Sequence, residues 1–302
     1  MRDKILALGA SSSIGRRFIL RYSADEIVFT YNNNKLKGGI HFNSLTMGLD
    51  EIIENPEDFH TAVIFFGDTK PVSCFQSPEL SNNLNVDSII RVLAYLKQWE
   101  VKPIFISTEF VFDGTKGNYN ETDKANPVVL YGMQKLLIEE FIQSKFSEFL
   151  IFRLAKTYGL EKNDNTIFSN WMEHFKIHQS VLCASDQRFS PIFIDDVVEV
   201  LYQCSKHKYT GLYNLGGAKP YTRLSLLELL LKERKKYVDE EINVTLCAFN
   251  SFDLGEKWPV DVSLDVRELM KRVNIAWTTP KSACKKIVKL YLGQDYNEYK
   301  SN

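Results

Sequence analysis

The alternation of short apolar runs with longer amphipathic stretches, which continues from the N-terminus to about residue 155, constrains the fold more than any other feature. The runs have the length and the composition of buried parallel strands. They lie at residues 4–8, 26–31, 41–43, 61–66, 104–106 and 148–154. This order predicts an α/β fold with a doubly wound parallel sheet, in which ligands bind at the carboxyl ends of the strands.

The composition is that of an ordinary soluble globular protein, with 44% hydrophobic and 25% charged residues in a chain of 302. The formal net charge of −1 argues against binding to nucleic acid or to an anionic membrane surface. No stretch approaches the roughly 20 apolar residues of a membrane span, and the first apolar run is too short for a signal peptide. The five cysteines are scattered, as reduced thiols are. We therefore expect a cytoplasmic protein.

A turn of small residues follows the first apolar run and precedes a helical stretch at residues 16–21. A strand, a tight turn and a helix in this order direct free backbone N–H groups and the positive end of the helix toward an anion. We expect this turn to bind the pyrophosphate of a dinucleotide, although the turn alone is equally compatible with a plain structural connection. The candidate binding residues are Gly9, Ser11, Ser12, Ser13, Ile14 and Gly15.

A hydroxyl, a phenol and an ammonium group are expected to meet near the end of the fifth run. Thr108 stands where that strand ends, and Tyr131 and Lys135 are four residues apart in an amphipathic stretch, so they share one face of a helix. A phenol can exchange a proton with a carbonyl or alcohol oxygen, and we expect the neighbouring ammonium to lower its pKa toward neutrality. These residues predict catalysis at a carbonyl or carbinol carbon, with Thr108, Tyr131 and Lys135 as catalytic candidates.

Residues 106–135, ISTEFVFDGTKGNYNETDKANPVVLYGMQK, resemble the extended short-chain dehydrogenase/reductase family, and within it the dTDP-4-dehydrorhamnose reductases and related nucleotide-sugar 4-ketoreductases. The segment departs from that pattern at Glu109 and Phe110. The resemblance implies a Rossmann fold with a smaller C-terminal substrate lobe. The residues that match the pattern are Ser107, Thr108, Val111, Phe112, Asp113, Gly114, Glu121, Asp123, Pro127, Tyr131, Gly132 and Lys135.

The resemblance extends loosely over nearly the whole chain and implies two parts. Residues 1–158 together with 190–217 would form the dinucleotide-binding domain, and residues 159–189 together with 218–302 would form the substrate-binding lobe. Between them, residues 68–81 are expected to form a loop that borders the substrate, and the amphipathic pattern of residues 78–99 predicts one long helix.

The second strand ends without the acidic residue that commonly binds the ribose 2′-hydroxyl of NAD. Lys35 follows instead, and Arg16 and Arg17 are expected nearby, which favours NADP over NAD because a 2′-phosphate binds cations. The resemblance implies that Lys135 also contacts the cofactor ribose. The cofactor candidates beyond the glycine turn are Tyr31, Asn32, Lys35, Asn43, Phe66, Gly67, Tyr131, Lys135 and Leu154.

The substrate candidates implied by the resemblance are Thr108, Glu109, Phe110, Lys156 and Arg188. Lys156 occupies a position where the reductases have tryptophan near the sugar. A cation there would either favour a carboxylated or otherwise anionic sugar or simply face solvent. Arg188 would contact a substrate phosphate or form a structural ion pair.

The resemblance implies an NAD(P)H-dependent reductase of a 4-keto nucleotide-activated sugar, which acts as a monomer or homodimer. A nucleotide-sugar epimerase remains open, whereas a 4,6-dehydratase is disfavoured because Phe110 cannot serve as the base that elimination needs. A non-catalytic NADP-binding regulatory subunit, of the kind found with methionine adenosyltransferase, is a third alternative. No metal site is expected: His174 and His178 have the spacing of two ligands on one helix but lack the intervening glutamate of a metalloprotease, which favours a surface helix.

Overall fold

The computed structural model describes residues 3–293. Within this range the strands are β1 Lys4–Leu8, β2 Ile27–Tyr31, β3 Ile40–His41, β4 Phe59–Ile64, β5 Lys102–Thr108, β6 Leu150–Leu154, β7 Thr157–Tyr158, β8 Ser180–Ala184, β9 Arg188–Phe189, β10 Ile192–Phe193, β11 Gly211–Leu215, β12 Tyr221–Thr222 and β13 Asn243–Cys247. The α-helices are α1 Ser13–Ile19, α2 Pro71–Gln76, α3 Pro78–Asn82, α4 Ser88–Gln98, α5 Leu130–Lys145, α6 Ile167–His174, α7 Ile194–Lys206, α8 Arg223–Arg234, α9 Arg267–Met270 and α10 Pro280–Leu292.

Seven strands form the central sheet in the order β11-β6-β5-β4-β1-β2-β3, and every neighbouring pair is parallel. The chain winds outward from β1 in one direction to β3 and then in the other direction from β4, so the order reverses between β1 and β4. The predicted doubly wound α/β fold is confirmed. In such sheets a crevice opens at the carboxyl ends of the strands where the order reverses.

Apolar side chains cover both faces of this sheet, as the continuous apolar runs predict. On one face Phe18 of α1 and Val197 of α7 pack against the strands, and on the other Val92 of α4 and Ile138 of α5 do so. A third cluster lies among α6, α8 and α10, with Phe168, Leu226 and Ile287 buried in it. The residues outside the central sheet thus have a core of their own.

The segment between β4 and β5 differs from its prediction. Residues 68–81 are not a continuous loop, because α2 and α3 begin at Pro71 and Pro78. The single helix expected over residues 78–99 is divided into α3, a π-helical segment Asn83–Asp87 and α4. Proline lacks an N–H and fits the first turn of a helix, which explains both starting points.

Within residues 3–293, no helix has both the length and the apolar character that crossing a membrane requires.

Candidate active site

The end of β5 and the first turns of α5 hold the three catalytic candidates together. Thr108 is the last residue of β5, Tyr131 is the second residue of α5, and Lys135 lies one turn further along that helix. The exposed fractions of these residues are only 7%, 7% and 4%. The side chain of Thr108 lies close enough to the phenol of Tyr131 to lower the pKa of that phenol. The structure therefore places the strand-end hydroxyl and the phenol next to each other.

The ammonium of Lys135 lies beneath this pair. Its Nζ donates a hydrogen bond to the carbonyl oxygen of Ile106 at 2.9 Å and lies 4.6 Å from the ring centroid of Phe105. The same Nζ is 5.9 Å from the ring centroid of Tyr131. Burial lowers the pKa of Lys135 to about 8, against the opposing influence of Cys74 and Glu139.

The pKa of Tyr131 corrects one expectation drawn from the sequence. Burial raises this pKa well above its usual value, and the side chain of Thr108 opposes the rise only in part. The expected lowering of this pKa toward neutrality by Lys135 is not found, because the loss of solvation dominates. At neutral pH the phenol is protonated, which suits a group that donates a proton.

Gly132 lets α5 approach the end of β5 closely. A Cβ at this position would lie 2.1 Å from the carbonyl oxygen of Phe110. Since no side chain fits in that space, glycine is required for the first turn of α5 to pack against the turn that follows Thr108. The position of Tyr131 relative to Thr108 depends on this contact.

The small-residue turn connects β1 to α1 as predicted. Gly9 has φ +77°, and a Cβ there would lie 2.6 Å from the Cβ of Phe66. Ser12 caps α1 by accepting the N–H of Gly15 at 3.1 Å, which leaves its own O–H free to donate. Ser11 and Ser13 are partly or fully exposed. The turn therefore has both the conformation and the donors that an anionic group needs.

The remaining cofactor candidates lie at the same edge of the sheet. Tyr31 ends β2, its ring centroid is 5.7 Å from that of His41, and Asn32 and Lys35 follow in an exposed loop. Leu154 ends β6 beside Thr108 in the strand register. The half-buried candidates Ile14, Asn43, Phe66 and Gly67 lie near the ends of β1, β3 and β4.

Two of these positions differ in detail from what the sequence indicates. The guanidinium of Arg17 forms ion pairs with Glu161 and Asp195, so it is not free to support Lys35. Phe66 directs its ring toward Phe42, at a centroid distance of 6.4 Å, and packs against the core.

The substrate candidates extend from the end of β5 toward the third core. Glu109 is buried, and its carboxyl group lies near the backbone N–H and the ammonium of Lys156, which both lower its pKa. Burial raises the pKa of Glu109 to about 8, and Lys156 opposes that rise. The ring of Phe110 lies edge-on between Tyr131 and Trp258, at centroid distances of 6.5 and 5.3 Å.

Arg188 is placed further out than the other substrate candidates. It lies on β9, its side chain is 48% exposed, and its Nε is 4.0 Å from Oδ2 of Asp261. This long contact is the ion pair that the sequence left open as an alternative to a phosphate contact.

Sequence reasoning missed several residues that border the site. Arg223 begins α8 and donates from Nε to Gln187 Oε1 at 2.9 Å. Asn85, in the π-helical segment, donates to the carbonyl of Asp68 and to Gln134 Oε1, each at 2.9 Å. Both residues reach the site through contacts between distant elements, for which the local sequence gives no signal.

Within the part of the chain that the structure describes, no cluster of three or more histidine, cysteine, aspartate or glutamate side chains could hold a metal ion. The predicted surface helix carrying both His174 and His178 is wrong, because α6 ends at His174. The two rings nevertheless lie 4.6 Å apart between centroids.

Comparisons with known proteins assign the chain to a family. A family model described as RmlD substrate binding domain matches residues 3–292. The chain is 27% identical to a dTDP-4-dehydrorhamnose reductase of Salmonella typhimurium over 53% of this chain and 54% of that protein. It is 28% identical to methionine adenosyltransferase 2 subunit beta of Bos taurus over 55% of this chain and 52% of that protein. The chain thus spans about half the length of the curated relatives it matches.

Among solved structures, dTDP-4-dehydrorhamnose reductase from Bacillus anthracis in complex with NADP has the same fold, with a TM-score of 0.78 and 17% identity. The alignment covers 94% of this chain and 98% of that one.

Proposed function

Because the chain belongs to the family that the RmlD substrate-binding-domain model describes, we propose that it is an NAD(P)H-dependent reductase of a 4-keto nucleotide-activated sugar. The observation that carries this proposal is that Thr108, Tyr131 and Lys135 lie together at the end of β5, all three buried, with Lys135 Nζ 5.9 Å from the ring centroid of Tyr131. A protonated phenol beside a second hydroxyl is the arrangement that carbonyl reduction needs.

A reduced nicotinamide held by the turn from Gly9 to Gly15 would supply the hydride to the carbonyl carbon. Tyr131 donates its phenolic proton to the carbonyl oxygen, so the products are an alcohol and the oxidised cofactor. Thr108 holds that oxygen by a hydrogen bond, and Lys135 stabilises the phenolate that remains after proton transfer. The ammonium can do so because it is 5.9 Å from the ring centroid of Tyr131 in a site with little water.

The residues at the edge of the sheet fit a dinucleotide. The turn from Gly9 to Gly15 offers backbone N–H groups and serine hydroxyls at the start of α1, next to the point where the strand order reverses. We assign the 2′-phosphate of NADP to the loop after β2, since Lys35 is exposed there and no carboxylate follows Tyr31. NADP is therefore the proposed cofactor in preference to NAD.

The two-part division of the chain is proposed on the same basis. Residues 1–158 and 190–217 contain the central sheet, whereas residues 159–189 and 218–293 contain the helices of the third core. The predicted continuation of that lobe to residue 302 lies outside the described residues. The substrate would bind between the two parts, where Glu109, Lys156 and Arg223 lie.

The test is a screen of 4-keto sugars linked to dTDP, UDP, GDP and CDP, each with NADPH and with NADH, read by loss of reduced-nicotinamide absorbance. We expect stoichiometric oxidation of the cofactor with at least one sugar and none without sugar. Sugar conversion without net loss of reduced cofactor would identify an epimerase instead.

A second candidate is a non-catalytic binding subunit, which the similarity to methionine adenosyltransferase 2 subunit beta supports. NADPH binding together with complete inactivity toward the whole sugar panel would favour this candidate. Co-purification with a methionine adenosyltransferase catalytic subunit would then test it directly.

A further inference from the structure

Two cationic side chains next to the candidate active site lack an ion-pair partner among the residues that the structure describes. Lys156 is exposed at its surface and yet is surrounded by enough protein for burial to lower its pKa. Arg223 is half-buried, and burial lowers its pKa as well. Two neighbouring cations without an ion-pair partner repel each other, so their presence calls for an explanation.

The fold brings these two residues together from opposite sides of one segment. Lys156 immediately precedes β7, which pairs with β10, and Arg223 immediately follows β12, which pairs with β9. Strands β9 and β10 belong to the continuous stretch 188–193. The two charges are close enough for Arg223 to contribute to the lowered pKa of Lys156.

The guanidinium of Arg223 is held in a defined orientation. Its Nε donates to Gln187 Oε1 at 2.9 Å, and its backbone N–H donates to the carbonyl of the same residue at 2.9 Å. Its Cζ lies 5.9 Å from the ring centroid of Trp171. Because Nε is already engaged, the terminal nitrogens remain to bind a planar anion.

Glu109 connects the two cations to the reaction centre. Its carboxyl group lies near the backbone N–H and the ammonium of Lys156, and it directly follows Thr108, which lies next to Tyr131. Lys156 therefore lies next to the residue that follows the catalytic candidate Thr108, and Arg223 lies near Lys156.

Glu109 does not neutralise these cations at neutral pH. The pKa of its buried carboxyl group is raised to about 8, so the group is largely uncharged at pH 7. Its Oε2 is buried and has no hydrogen-bond partner within residues 3–293. A proton bound to this carboxyl group is consistent with an unpaired oxygen on a side chain that is only 5% exposed.

We propose that Lys156 and Arg223 form a subsite for a carboxylate carried by the reacting sugar, so that the substrate is an acidic nucleotide sugar. This inference rests on the proposed reductase function and specifies its substrate class. A neutral Glu109 would donate a hydrogen bond at the same place without repelling the carboxylate.

The experiment measures binding to the full chain by isothermal titration calorimetry. The affinities of UDP and dTDP are compared first. The nucleotide that binds more tightly is then tested in the form of its glucose and its glucuronic acid derivative, which are a matched neutral and acidic pair. We expect the acidic sugar to bind about tenfold more tightly or better, since a charge-assisted contact of this kind contributes that much. Lys156→Gln and Arg223→Gln should each remove the difference, whereas Lys232→Gln, an exposed lysine on the same helix α8, should keep it.

Four outcomes separate the hypotheses. Equal affinity of the wild-type protein for the neutral and acidic sugars overturns the carboxylate subsite alone. The carboxylate subsite is also overturned if both variants bind the bare nucleoside diphosphate more weakly, and by the same factor as the acidic nucleotide sugar. The two cations would then bind the diphosphate.

If no nucleotide binds, the proposed function and the carboxylate subsite are both overturned. Discrimination in favour of the acidic sugar without turnover would leave the subsite standing and refute the reductase. Thermal unfolding of each variant checks that its fold is retained, and the two single variants provide independent tests.

Discussion

The phenol of Tyr131 is controlled by two features, the hydroxyl of Thr108 and the apolar surroundings that raise its pKa. Replacing Tyr131 by phenylalanine removes the proton donor and keeps the ring that packs against Phe110. We expect kcat to fall by roughly 10² to 10⁴-fold, the usual contribution of a positioned acid, with nearly unchanged NADPH affinity. Steady-state kinetics and NADPH titration measure the two quantities. Turnover close to that of the wild type would remove Tyr131 from the chemistry.

Glu109 provides a prediction about stability and pH. Its pKa is raised by burial from 4.5 to about 8, so the folded protein keeps a proton that the unfolded chain releases. The stability linked to this group is complete below about pH 4.5 and is lost as the pH rises toward 8. Glutamine mimics the protonated acid and has no such loss.

We therefore expect Glu109→Gln to gain on the order of 1–3 kcal/mol relative to the wild type between pH 4.5 and pH 7.5. Denaturant unfolding at the two pH values measures the change, with the exposed Glu79→Gln as control. A difference that does not vary with pH would contradict the raised pKa.

At the scale of single residues, the sequence predicts which residues form the candidate site better than it predicts the surroundings of their side chains. Thr108, Tyr131 and Lys135 are identifiable because a strand end and a helical spacing are local patterns. The raised pKa of Tyr131 is not predictable, since it depends on burial by side chains distant in the sequence. The position of Arg223 beside the candidate site is not predictable for the same reason, because it depends on the packing of α8 and β12 next to Gln187.

Helix α5 is positioned by the close contact at Gly132. Alanine normally stabilises a helix interior relative to glycine by about 1 kcal/mol. Here the added Cβ would lie 2.1 Å from the carbonyl oxygen of Phe110, so the helix must move. We expect Gly132→Ala to lower the free energy of unfolding by about 1–3 kcal/mol and also to lower kcat.

Met133→Ala is the matched control for this change, because Met133 is exposed on the neighbouring position of the same helix. Denaturant unfolding and steady-state assays of both variants make the comparison. A Gly132→Ala protein as stable and as active as the control would mean that the contact tolerates the methyl group.

The hydrophobic pattern predicts the elements between β4 and β5 only in part. An amphipathic period predicts a helix over residues 78–99, and most of that stretch is helical. The π-helical insertion is not predicted, because Asn85 is buried there by hydrogen bonds to Asp68 and Gln134 rather than by any local preference. Two prolines account for the breaks before it.

For the whole molecule, the parallel sheet and its order of winding follow from the alternation of apolar runs, and that prediction is confirmed. The boundaries of the C-terminal lobe are harder to predict, since the strands near them, β7, β9, β10 and β12, contain two residues each and carry no periodic signal. The resemblance of residues 106–135 located the site, and the structure supplied its surroundings.

Cofactor binding should stabilise the whole fold, because a ligand of the folded state alone raises stability by mass action. At 100 times its Kd, NADPH is expected to add about 2.7 kcal/mol and to raise Tm clearly. We expect NADH at the same concentration to raise Tm less, and Lys35→Glu to reduce the NADPH shift selectively. Equal shifts with both cofactors would refute the assignment of the 2′-phosphate to Lys35.

The first residue of α5 is hydrogen-bonded to a residue that is distant in the sequence. Glu256 accepts the N–H of Leu130 at 2.8 Å, and Trp258, two residues further, packs against Phe110. Tyr131 directly follows Leu130, the residue that forms this hydrogen bond. A displacement of residues 256–258 would therefore remove a hydrogen bond from the residue that precedes Tyr131 and a ring contact from Phe110.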